Sequence, residues 1–276
     1  MAREDVYLGM RAGDLDGKPY ARHWKPEMAP LQPPVREAIL QGPQAAELAF
    51  PLGEAHRLLE PGALPMENGW AQTRSGETFV AVQTLMPGVR GSMFEWWMGW
   101  HTEESQRYKL WHPRAHLAVA TSGRSESAPL LSERTKYLTT HLVTEYIGNA
   151  RQEIRITFTP PTQWFPTGTD LSAGGTTALV CGEVRLRAVP VTIGYLIHQI
   201  REGGSHGTEM RSRFWLGSLR FGKVPREHWS GRLLSRSGLA ARLHPGELGR
   251  DMVVHCGMEM AHLATFLPAL WADYHP

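Results

Sequence analysis

Apolar and polar positions change their rhythm once along this chain. From Glu77 to Met86 (ETFVAVQTLM) apolar residues alternate closely enough with polar ones for a half-buried strand, and Pro87-Gly88 ends it. HLAVATSG, KYLTTHLVTEYIG and QEIRITF follow as strand candidates. TTALVCGEVRLRAV, VTIGYLIHQIRE and GTEMRSRFWLG read as a meander whose last two members meet in a tight hairpin at GGSH. Between the first strand and the rest, Gly91 to Trp111 (GSMFEWWMGWHTEESQRYKLW) places Phe94, Trp97 and Trp100 at a spacing of three and predicts a helix. His244 to Leu267 predicts one long C-terminal helix, with Pro245 suited to its first turn and Pro268 ending or kinking it.

Ahead of the strands, proline sets the pattern. Nine of the 20 prolines lie in the first 66 residues, and PVREAILQG carries Pro at its start and Gly just past its end. PQAAELAF and LGEAHRLLE read as two more short helical pieces, none long enough to be stable alone. Residues 1–66 are therefore expected to form an N-terminal helical arm lying on the main body or on a second subunit. Residues 67–276 are expected to form an α+β domain, several antiparallel strands before a single long helix. The simplest packing curls the sheet around that helix and leaves a cavity between them. No internal repeat is present, and no Gly-x-Gly-x-x-Gly joins a strand to a helix.

Composition narrows the class. The 276 residues are ample for a sizeable core, and 42% hydrophobic with 20% charged residues is an ordinary soluble balance. A net charge of +2 argues against a nucleic-acid binder. No apolar stretch approaches the roughly 18–20 residues of a membrane span, and the N-terminus lacks the continuous apolar stretch of a secretory signal. Cys181 and Cys256 cannot build a disulfide framework and are expected to be reduced, buried thiols in a cytoplasmic protein. Ten Trp, 13 His and 11 Met point to an aromatic, somewhat polar cavity as well as a core.

Four features in this frame could carry chemistry. His255 and Glu259 lie one turn apart on one face of the predicted C-terminal helix, a face that continues through His262 and Phe266. Such a pair can bind one divalent ion. The alternative is a solvent-side contact worth about a few tenths of a kcal/mol, but the surrounding Val254, Cys256, Gly257, Met258 and Ala261 make an unpartnered pair costly. RYKLWHPRAH holds Tyr108, His112 and His116; His116 opens a strand and can point inward, whereas His112 beside Pro113 is expected at the rim. The alternative reading makes both surface or hydrogen-bonded histidines. Glu145 shares a strand face with Val143 and Ile147, and His198 shares one with Leu196 and Ile200. A buried carboxylate there needs an arginine or a metal, while a satisfied core histidine is the plainer account of His198. Two imidazoles with two carboxylates would suit Zn²⁺ and would also accept Fe²⁺ or Mn²⁺. Neither a Gly-x-Ser-x-Gly elbow nor a His-Glu-x-x-His helix is present. Glu209, Arg211 and Arg213 alternate along one strand and are expected as an ion-pair ladder on the outer sheet surface, the other reading being a grip on a phenolate.

The ordered stretches MFEWWMGWH…RYKLWHPRAH, EYIG, EMRSRFWLG and the helical HxxxE together resemble the 2,4-diacetylphloroglucinol hydrolase and phloretin hydrolase family over roughly residues 69 to 267. The resemblance implies a Bet v 1-like helix-grip fold and a zinc ion held by His116, Glu145, His255 and Glu259. It implies that Tyr108 contacts the acyl oxygen and that His198 stands beside the phenol as a proton shuttle. Trp97, Phe214, Trp215 and His112 are then expected around the substrate, with Phe214 standing where the diacetylphloroglucinol enzyme is expected to have a second tyrosine. The implied reaction is hydrolysis of the carbon–carbon bond between an acyl group and a polyhydroxylated aromatic ring. The implied partner is a small acylated phenol, with no nucleic acid or membrane and with a homodimer through the arm by analogy. Two rivals are a non-catalytic carrier of hydrophobic ligands on the same fold and a metal-dependent ester or lactone hydrolase.

Overall fold

The computed structural model of the protein describes residues 10–122, 132, 135–204, 207–221 and 245–275. Eight strands, β1 (Gly69–Gln72), β2 (Thr78–Leu85), β3 (His116–Ser122), β4 (Thr140–Ile147), β5 (Ala150–Thr159), β6 (Thr176–Leu186), β7 (Val191–Gly204) and β8 (Gly207–Phe221), form one antiparallel sheet. Their order is β1-β2-β8-β7-β6-β5-β4-β3, so consecutive strands are neighbours except at β2–β3. That connection crosses from one side of the sheet to the opposite edge, and it carries two helices, α2 (Gly91–Trp100) and α3 (Ser105–Trp111). An earlier helix, α1 (Pro33–Gln41), belongs to the arm; the C-terminal helices are α4 (Pro245–Ala264) and α5 (Leu267–Tyr274). The α+β arrangement expected from the strand–helix order, which the family resemblance implies to be a helix-grip, is the one observed, with α4 packed on β1, β2 and β4.

The aromatic stretch from Gly91 to Trp111 is two helices rather than one. α2 is apolar on all sides and buried from Met93 to Trp100 apart from half-buried Glu95, as befits a helix enclosed by the fold. It stops where side chains take its last carbonyls: His101 Nδ1 donates to Trp97 O (2.8 Å) and the Thr102 hydroxyl to Gly99 O (2.7 Å). Its start is fixed by Glu202, which accepts from the Gly91 amide (2.9 Å) and the Thr177 hydroxyl (2.7 Å). A Cβ at Gly91 would come within 2.7 Å of the Thr177 backbone, so only glycine lets α2 sit this close to β6. At the C-terminus, the helix breaks after Ala264, where Thr265 turns its hydroxyl onto His262 O (2.7 Å), and Pro268 lies in the first turn of α5.

Both faces of the sheet are buried. Val80, Val82, Leu196, Ile200, Met210 and Phe214 face the helices in one core, while Phe79, Ala81, Ile197 and Trp215 face the opposite way in a second. The second core is closed by the arm, which contributes Phe50, Ala55, Leu58, Leu59, Leu64 and Met66. Other arm residues, Tyr20 and Val35, join the first core. The arm thus lies on the body of its own chain. Its pieces after α1 are a single 3-10 turn at Ala46–Leu48 and a longer 3-10 stretch, kinked at Glu54, at Leu52–Leu59. β1 was not marked by the hydrophobic pattern; it is only four residues long and pairs with β2 at the sheet edge. The GGSH turn lies partly outside the described residues, β7 and β8 pairing as far as Gly204 opposite Gly207.

The Glu209/Arg211/Arg213 ladder needs correction. These residues do share the outer sheet face, but that face is covered, and Arg211 and Arg213 are 1% and 0% exposed. Glu67 joins them, one carboxylate oxygen to each guanidinium, and the carbonyls of Gly62 and Met66 accept as well. Two buried cations therefore lean on the carboxylate of Glu67, the first residue past the arm, and Arg211 keeps Glu209 of the ladder at 3.8 Å. Glu67→Gln is expected to lower unfolding free energy by about 3–5 kcal/mol. Arg74→Ala, which breaks an exposed pair with Glu47, should stay within about 0.5 kcal/mol. Equal effects in urea denaturation would show that the arm is not pinned at Glu67.

Candidate active site

The turn HPRAH delivers the first candidate ligand. His112 O accepts from the amides of both Ala115 (3.0 Å) and His116 (2.9 Å), which folds the chain back so that β3 begins at His116 directly opposite Glu145 on β4. Tyr108 on α3 reaches over this junction: its carbonyl lies 3.0 Å from His116 Nδ1, and its ring stacks on the imidazole at 3.8 Å. Its hydroxyl donates to Glu145 Oε2 (2.6 Å). From the other side, α4 presents His255 and Glu259, one turn apart as the sequence spacing required.

These four side chains meet. His116 Nε2 lies 3.4 Å from Glu145 Oε2 and 3.4 Å from Glu259 Oε2. His255 Nε2 lies 3.7 Å and 3.6 Å from the same two oxygens. All four residues are under a tenth exposed. A carbonyl only accepts, so His116 carries its proton on Nδ1 and turns a bare Nε2 toward the carboxylates. That nitrogen is fully buried and has no hydrogen-bond partner among the described residues. Donors around one tetrahedral zinc ion stand about 3.3–3.6 Å apart, given bond lengths near 2.0–2.2 Å. The spacing and the nitrogen–oxygen set both fit such an ion, and His116, Glu145 and His255, with ligand atoms within 4.8 Å of one another, could hold it.

Burial dominates the electrostatics. It pushes Glu145 up to about 7 against the opposing hydrogen bond from Tyr108, and raises Glu259 well above the carboxylate range, with the Glu145 charge adding to the effect. It drives His116 well below the usual imidazole range and His255 down to about 4. Two carboxylates are thus held in a space that disfavours their charge, the setting in which a cation is a strong partner.

The cluster lines a cavity together with Met98, Trp111, Phe158, Leu196 and Phe214. His198 also faces it, with Nδ1 2.8 Å from the Ser212 hydroxyl and its ring edge-on to Phe214. Burial holds His198 down at about 3, so its imidazole is neutral. Three expected substrate contacts are placed elsewhere. Trp215 follows Phe214 on a strand and so points to the opposite face, where its Nε1 donates to Phe50 O (2.8 Å). Trp97 lies behind the wall, packed on Trp111, His101 and Phe266. His112 is not at a rim: the HPRAH turn folds it inward, 6% exposed, with its ring stacked 4.9 Å from His255. His101 and His141 line the cavity and had not been singled out. His141 sits two and four residues before Val143 and Glu145, so the strand's period of two carried the signal.

The comparisons with known proteins show the family. Residues 50–272 match the family model described as DAPG hydrolase PhiG domain. A 2,4-diacetylphloroglucinol hydrolase from Pseudomonas sp is 32% identical over 93% of this chain and 88% of its own. Phloretin hydrolase from Eubacterium ramulus is 27% identical over 92% of this chain and 89% of its own. A solved structure titled Crystal structure of Ara h 8.0201 superposes on 65% of this chain and 99% of its own, with 9% identity and a TM-score of 0.31. The class is that of hydrolases acting on carbon–carbon bonds in ketonic substances. Within it, the chain belongs to the DAPG hydrolase family.

The two histidines of the HPRAH turn separate a metal site from a packing role. His116→Ala should weaken zinc binding at least about 100-fold in a chelator competition, whereas His112→Phe should retain the ion. The reverse result would exchange their assignments.

Proposed function

We propose that this protein is a zinc-dependent hydrolase that cleaves the carbon–carbon bond between an acyl group and a polyhydroxylated, phloroglucinol-type ring, releasing a carboxylic acid. The carrying observation is the buried His116–Glu145–His255–Glu259 cluster lining an aromatic cavity, in a chain of this family. A pure carrier of apolar ligands has no use for two carboxylates there. His116, Glu145, His255 and Glu259 would hold the ion, which when bound supplies polarisation of the acyl carbonyl and acidification of water.

The aryl–acyl bond breaks only if the ring carbon leaves as a stabilised anion. A phenol meets this need by tautomerising to a ring ketone, which makes the acyl arene a β-diketone. Water then contributes its hydroxyl to the acyl carbon and a proton to the ring carbon. Tyr108 orients Glu145 in the resting site, and its hydroxyl is the donor we assign to the developing oxyanion. We assign His198, tethered to Ser212, to relay the phenol proton to the ring in one concerted transfer, since burial disfavours a free imidazolium there. Phe214, Phe158 and Leu196 supply the apolar wall against which the ring lies. Phe214 in place of the family tyrosine removes one polar contact and bears on which acyl phenol is accepted.

Glu259→Gln should lower zinc content and acylphloroglucinol turnover together, measured by elemental analysis and by chromatography of the released acid and phenol. Full activity in metal-stripped Glu259→Gln protein would end this mechanism. His198→Ala should cut turnover about 10²–10⁴-fold with zinc content unchanged; loss of zinc would make it a ligand instead. Simple aryl esters, assayed beside the acyl phenols, should be the poorer substrates.

A further inference from the structure

Resting on the acyl-phenol reading above, we propose that His101 is a specificity-determining residue: a fixed hydrogen-bond acceptor for one hydroxyl of the bound ring. His101 follows directly on α2, is 1% exposed and lines the same cavity as the metal-ligand candidates. Its Nδ1 lies 2.8 Å from Trp97 O. Because a carbonyl cannot donate, the proton is on Nδ1, and Nε2 on the far side of the ring carries a lone pair. Among the described residues Trp97 O is its one hydrogen-bond partner. Burial keeps the ring neutral, at about 4.

Placement makes this lone pair useful. Tyr108 is a ring neighbour of both His101, at 5.6 Å between centroids and 30° between planes, and His116, at 3.8 Å and 6°. His101 thus borders the metal-ligand candidates through the Tyr108 ring. An aromatic substrate with its acyl oxygen at the ligand cluster would extend past Tyr108 and bring a ring hydroxyl to His101. Phe158, Leu196 and Phe214 elsewhere on the wall offer no acceptor. His101 and His198 are then separate polar points on the wall, His198 serving the hydroxyl that reacts and His101 a second one, and an analogue lacking that second hydroxyl leaves the His101 nitrogen unpaired.

The test compares 2,4,6-trihydroxyacetophenone with 2,4- and 2,6-dihydroxyacetophenone, each lacking one hydroxyl, on zinc-loaded protein. The wild type is expected to prefer the trihydroxy compound over one of the two by about 10- to 100-fold in kcat/KM. His101→Asn keeps a donor near Trp97 O but has no acceptor at the Nε2 position. It should shrink that ratio to within about 3-fold while preserving the preference over the other analogue, the zinc content and the circular dichroism. His101→Gln, which carries an acceptor further out, should restore part of the discrimination. An undiminished ratio in His101→Asn, or no discrimination in the wild type, overturns the assignment. Should the wild type turn over none of the three, dissociation constants from quenching of tryptophan fluorescence give the same ratios. Failure of the hydrolase reading and failure of the His101 assignment are thus scored separately.

Discussion

Charge burial governs this molecule. Two carboxylates and two imidazoles from β3, β4 and α4 are sealed within van der Waals reach of one another, and nothing else in the described structure neutralises the acids. An isolated carboxylate in such a space is costly, and a pair is worse. The surrounding hydrogen bonds only orient these groups: Tyr108 holds Glu145 by its hydroxyl and His116 by its carbonyl. They set which lone pairs face inward, where His116, Glu145 and His255 could share a metal ion.

The same physics recurs on the other side of the sheet with a different solution. Arg211 and Arg213 are as deeply buried as the catalytic-side groups, yet their partner is built in, as Glu67 where the arm meets the sheet. One face thus closes on itself, while the other keeps a cavity and a set of inward donors. Strand alternation divides the labour between the two. Met210, Ser212 and Phe214 go to the cavity side, and Arg211, Arg213 and Trp215 to the arm side.

This division explains what the sequence made legible. The α+β class, the sheet curled on the last helix and the HxxxE pair followed from period and spacing, because α4 keeps His255 and Glu259 on one face whatever lies opposite; the helix-grip assignment came from the family resemblance. Glu145 was visible as an acid on an apolar strand face. Errors arose where a second layer of structure overrode the local pattern. A ladder of Glu and Arg reads as solvent-facing until the arm is laid over it, and Trp215 reads as a cavity wall until the neighbouring Phe214 is given the inward position. His101 was hidden for a related reason, since the helix break that aims it depends on two side chains capturing the carbonyls of their own helix.

The chain order of the cluster has a mechanical consequence. His116 and Glu145 come from the middle of the sequence and His255 and Glu259 from its last helix, so an ion shared among them would act as a removable cross-link between distant parts of the polypeptide. Closing a loop of more than a hundred residues takes entropy chiefly from the unfolded chain. The ion's grip would then be felt as resistance of the whole α4–sheet clasp to opening, far beyond the few atoms that touch it.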